Sequence, residues 1–166
     1  MRILVSGATV RTRDSWGLKA IERDPHNFRA GVLLAGCYMS AGQCDEGLRI
    51  AKSMHELAPD FAETNLLMVT HLARAGKRAD ALRVLKSWEH RRDDRYVHPI
   101  LRAIAYAWLG EKSLALDAMR DTIDARHTVC LFARSAPFLE PLHGLPEFDR
   151  MLTEAGLPQH LKADST

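Results

Sequence analysis

Aromatic residues make up only 7% of this sequence, and it has just three cysteines. An odd and small number of thiols excludes a disulfide-built scaffold and points to a reducing cytoplasm. No apolar run approaches the ~18 residues needed to cross a bilayer, which excludes a membrane-embedded chain. The opening stretch, Met1 to Val10, is short and interrupted and has no cleavage motif behind it, so no secretory signal is expected. Neither sign of charge prevails. There are 23 Lys and Arg against 21 Asp and Glu, a net of +2, too even a balance to argue for a nucleic-acid partner. Beyond the N-terminus there is no sustained period-two alternation, and with it no sheet. What is present is a chain of 166 residues, 46% hydrophobic and 27% charged, the composition of a soluble globular domain or a short solenoid. A chain of this size buries roughly 70% of its unfolded surface and folds without staples.

The strongest internal signal is a repeat. Gly42, Gly76 and Gly110 each follow an apolar residue and are evenly spaced. Leu48, Leu82 and Leu116 keep the same step, and so do Pro25 and Pro59. Three independent landmarks thus share one period, within the range of helical repeat units. Each unit reads as two helices around its glycine. Leu33, Leu34, Cys37, Tyr38 and Ala41 precede Gly42 at helical spacing, and Asp45-Glu46 opens a second helix that runs to Leu57. Acidic residues suit a helix start because they complement its exposed amide dipoles. Leu66 to Ala73 and Ala81 to Trp88 repeat the pattern, and Ile100 to Trp108 and Leu114 to Ile123 repeat it again. Glycine at the junction supplies the left-handed conformation that reverses the chain.

These features resemble the tetratricopeptide repeat family, with units at 28–61, 62–95 and 96–129. The eighth positions are Ala35, Val69 and Ala103, the eleventh Tyr38, Leu72 and Tyr106, and the twentieth Gly47, Ala81 and Ala115. Pro59 stands at the thirty-second position of the first unit, where Asp93 and His127 stand in the others. The resemblance implies an all-α fold, a right-handed superhelical solenoid of helix–turn–helix repeats. Running the frame backward makes residues 1–27 a partial repeat, with Thr12 to Arg23 as its second helix. Forward, Pro137 and Pro141 fall where a fourth first helix would run, and proline inside a helix costs ~3 kcal/mol. The expectation is therefore a capping segment over 130–158. It would hold a short helix near Val129 to Arg134, a turn, a brief helical turn around Leu139 to Leu142, and a helix from Pro146 with Phe148, Met151, Leu152 and Ala155 on its apolar face, before a tail at 159–166. The run from Phe138 to Pro158 resembles the end of bacterial tetratricopeptide arrays fused to adenylate cyclase or winged-helix regulators, which implies a regulatory or scaffolding arm.

Four constellations could carry chemistry. Met1 to Thr9 resembles the first strand and turn of short-chain dehydrogenases, but Val10 and Arg13 stand where dinucleotide binding needs further glycines, so no cofactor is expected. Cys37, Cys44 and Cys130 lack the paired spacing of a structural zinc site, so no metal is expected. Cys37 and His71 share the tenth position of adjacent units, but packed helices 8–10 Å apart set such positions too far apart for proton transfer. The run His90 to Arg95 nearly cancels its own charge and reads as a solvated loop.

The surface that the resemblance makes functional is the concave stripe of the first helices. Carried over, it comprises Arg29, Val32, Gly36, Met39 and Ser40; Glu63, Leu66, Thr70, Ala73 and Arg74; and Val97, Ile100, Ile104, Ala107 and Trp108. It is apolar toward Trp108 and lacks the lysine- and asparagine-rich clamp of chaperone-binding members. Part of it could instead be covered by the C-terminal segment of the chain itself. The expected function is non-enzymatic protein–protein interaction with a peptide or helix in this groove. A regulatory arm of a larger bacterial signalling protein is the second reading, and a small hydrolase or metal enzyme the third. Leu18 and Ile21 on the unpaired half-repeat are the candidate surface for a homodimer.

Overall fold

The computed structural model describes residues 27–90 and 97–157 together with Lys19, Arg23 and Asp24. Most of the expected half-repeat, including Leu18 and Ile21, lies outside the described residues, as does 91–96. Among the described residues there are α-helices and two 3-10 segments and no strand. The helices are α1 (Phe28–Ser40), α2 (Cys44–Leu57), α3 (Ala62–Arg74), α4 (Arg78–His90), α5 (Pro99–Trp108), α6 (Lys112–Asp124) and α7 (Pro146–Glu154); the 3-10 segments are Thr128–Phe132 and Pro137–Leu142. They fall into two compact units, one holding α1 to α4 and the other α5 to α7. No described helix is long and apolar enough to cross a membrane.

Helix boundaries recur with the sequence period. The first helix of each pair ends at Ser40, Arg74 and Trp108, and the second begins at Cys44, Arg78 and Lys112, each exactly one period after the last. The chain turns at Gly42, Gly76 and Gly110, with φ of 73°, 73° and 77°. In each turn the residue after the glycine donates back across the last helical turn: Gln43 N to Tyr38 O, Lys77 N to Leu72 O and Glu111 N to Tyr106 O, at 3.0, 2.8 and 2.9 Å. A Cβ at these glycines would meet nothing within 4 Å. Backbone conformation, not space, is what requires glycine there, since the left-handed region costs other residues about 1–2 kcal/mol.

In the first unit, Asn27 opens α1 by accepting a hydrogen bond from Ala30 N at 3.0 Å. Helices α1 and α2 approach closely because Gly31 faces Met54, whose Sδ would lie 2.1 Å from a Cβ at that position. The small eighth-position residues Ala35 and Val69 and the twentieth-position Ala81 are fully buried, with Leu34, Met54 and Leu72 also in the core. The link between α2 and α3 is tied by side chains. Asn65 Nδ2 donates to Pro59 O and Phe61 O at 2.9 and 2.7 Å. The Thr64 hydroxyl lies 2.6 Å from Ala58 O and 2.8 Å from Phe61 O.

In the second unit, α5 starts with proline in its first turn, where the missing N–H would be unpaired in any case. Ala103 of α5 and Ala115 of α6 are fully buried. After α6 the chain turns at Arg126, a non-glycine residue with φ of 51°. The prolines act as expected: residues that would form a fourth first helix are two 3-10 segments instead. The frame nevertheless persists. The second segment ends at Leu142, one period after Trp108, and α7 begins at Pro146, one period after Lys112. Phe148 and Leu152 of α7 are fully buried, while Met151 is half-buried and Ala155 is exposed. Arg134 holds α7 from the side, donating to Asp149 Oδ1 at 2.5 Å, Asp149 O at 3.0 Å and Thr153 Oγ1 at 2.9 Å.

Candidate functional site

The stripe on the first helices is open in some places and filled in others. On α1, Val32 and Gly36 are half-buried, Met39 is buried, and Ser40 is exposed and donates to Gly36 O at 3.0 Å. Arg29 belongs to α1, but its side chain lies outside the described part. On α3, Glu63 is exposed, Leu66, Ala73 and Arg74 are half-buried, and Thr70 is buried, its hydroxyl 2.9 Å from Leu66 O and 3.1 Å from Leu67 O. The accessible part of the stripe in the first unit is thus Val32, Gly36, Ser40, Glu63, Leu66, Ala73 and Arg74, apolar side chains flanked by a hydroxyl and a charge of each sign.

The second unit is different. Ile100, Ile104 and Ala107 are buried and belong to its core, and only Val97 and Trp108 keep part of their surface. The Trp108 indole N–H donates to Phe138 O at 2.9 Å, and the segment Pro137–Leu142 packs on α5. The proline-broken segment of the chain itself therefore lies at the Trp108 end of the stripe.

His71 is the most constrained polar group of the first unit. Its side chain is 1% exposed. Nδ1 lies 2.8 Å from Leu67 O, one turn back on α3, and Nε2 lies 3.2 Å from Ala35 O on α1. Burial pushes its pKa below the usual 6.5, against the opposing pull of these two carbonyls. The signal that could have located this joint is Gly47. A Cβ there would lie 2.6 Å from His71 Cδ2, so the glycine that departs from alanine at the twentieth position makes room for the ring.

A second histidine cluster lies in the other unit. The rings of His98, which precedes α5, and His127, which follows α6, meet edge to face with centroids 3.9 Å apart. Desolvation, and then the charge of His127, lower the pKa of His98 from 6.5. His127 Nδ1 accepts a hydrogen bond from Val129 N at 3.1 Å, which places the proton of the neutral ring on Nε2. A metal on Nε2 of His127 would need the reverse tautomer. Among the described residues no three potential ligands come together. None of the three cysteines forms a disulfide; Cys37 and Cys44 are half-buried and Cys130 is buried. Two open cavities flank α6, of about 310 Å³ beside Arg120, Glu147 and Arg150 and about 590 Å³ beside His127, Cys130 and Leu157. The second is lined by a thiol and an imidazole together, but the Cys130 Sγ lies 3.7 Å from Thr122 O and burial pushes its pKa up.

No family model, no curated protein and no solved structure matches the chain.

Proposed function

We propose that the chain is a tetratricopeptide-type repeat module that acts by binding another protein, not by catalysis. The observation that carries this reading is the recurrence of helix ends and left-handed glycines at one constant step, with small residues buried at the eighth and twentieth positions. Such arrays work through the face their first helices present. In the first unit that face offers the Val32 and Leu66 side chains together with Glu63 and Arg74, which suits an amphipathic helix or an extended peptide with apolar residues flanked by charge. The filled stripe at Ile104 and Trp108 moves the proposed binding surface to α1 and α3.

The experiment selects peptides from a displayed library against the full chain and measures their affinity by fluorescence anisotropy. Leu66→Glu and Arg74→Glu are expected to weaken binding at least about tenfold, with helicity by circular dichroism unchanged. Unchanged affinity in both variants assigns the partner to another surface. Trp108→Ala is a test of the fold here, because its indole holds Phe138. Self-association through Leu18 and Ile21 belongs to the same proposal. Sedimentation is expected to show a dimer that Ile21→Asp breaks.

A further inference from the structure

His71 closes the place where three helices meet. Its Nε2 faces Ala35 O of α1, its Nδ1 faces Leu67 O of α3, and its Cδ2 and Nε2 fill the space that a side chain on Gly47 of α2 would take, 2.6 and 2.8 Å from that Cβ. A neutral imidazole has one N–H, so in either tautomer one bare nitrogen opposes a carbonyl oxygen. The protonated ring would donate to both carbonyls, but it would place a charge where the side chain is only 1% exposed.

The surroundings do not compensate such a charge. Arg74, on the same helix, acts on the ring with a charge of the same sign. On α1 the titratable neighbours are Cys37 and Tyr38, and no carboxylate stands on that helix. On α2 the charged groups flanking Gly47 are Asp45, Glu46 and Arg49, all exposed to solvent, and on α4 Asp80 pairs with Arg83.

We propose that His71 is an acid-sensitive joint, whose protonation loosens the packing of α1 and α2 on α3. Desolvation outweighs the two carbonyls, so the folded ring binds its proton less readily than the unfolded one, whose pKa is 6.5. Above that value the ring is neutral in both states, and its contribution to stability is complete. As the pH falls from there toward the lower folded value, the unfolded chain takes up a proton that the folded chain does not, and stability is lost. A difference of one proton raises the unfolding equilibrium constant by about tenfold per pH unit.

The test uses the full chain. The His71 ring is followed by NMR through a pH titration, and urea unfolding is measured between about pH 7.5 and 5.5 for the native chain, His71→Gln and His71→Phe. The ring is expected to titrate below 6.5. The unfolding constant of the native chain is expected to rise on acidification more steeply than in either variant, by up to about tenfold per pH unit. A ring that titrates at or above 6.5, or a folded variant that keeps the native slope, overturns the proposal. Should neither variant fold, the ring titration of the native chain decides alone.

Discussion

The first unit joins its helices with buried polar groups, and the second joins its helices with apolar ones. Thr64, Asn65, Thr70 and His71, all on α3, are four of the five buried polar residues among those described. Three of them reach carbonyls outside their own helix, on α1 or in the link after α2. The fifth, Thr122, donates to Ala118 O at 2.7 Å within α6. One repeat after His71, the second unit has the fully buried Ala105, a methyl group in place of an imidazole. The same helical period therefore accommodates two kinds of joint. The apolar kind takes its strength from area removed from water, and the polar kind from hydrogen-bond geometry that tolerates few alternatives.

The comparison can be broken most forcefully in the second unit. Phe148→Ala removes the largest fully buried side chain and is expected to cost about 3–5 kcal/mol, read as a lower urea midpoint with unchanged slope. In the first unit, Gly47→Ala drives a methyl group against the His71 ring and is expected to cost about 1–3 kcal/mol. The double variant with His71→Ala should recover part of that loss, and a strictly additive double-mutant cycle would show that the two positions do not share the space. A smaller gain is expected from Arg126→Gly, which relieves a left-handed arginine at φ 51° and should raise stability by up to about 1 kcal/mol, read as a higher midpoint of thermal unfolding. The smallest effect concerns His98 and His127. The His98 pKa is lowered on folding, so its contribution to stability is complete above 6.5 and declines as the pH falls below it. His98→Asn should flatten that decline in urea midpoints measured across the same range.

Much of the architecture was legible in the sequence. Periodicity located every helix pair from α1 to α6, because apolar spacing and junction glycines are local properties of the chain. Pro137 and Pro141 announced the broken fourth helix for the same reason, though the two segments there are 3-10 turns. What covers each face was not legible. Ile100 and Ile104 look like groove residues by position, but they are buried, and burial depends on what packs on a helix from elsewhere in the chain. His71 stands out in the sequence only as the repeat partner of Cys37, because sequence spacing cannot say which atoms a ring nitrogen will face. Gly47 carried that information, as a missing methyl group on α2 whose complement is a ring on α3.

Gly144, left-handed with φ 79° and one period after Gly110, also bears on how such a chain can change length. Since the capping segment keeps the step of the regular pairs, insertion or loss of one whole unit leaves every later boundary in phase. A slip of a single residue instead turns each following helical face by ~100° relative to its neighbours. A constant step thus accommodates a change in the number of repeats more readily than a change in their length.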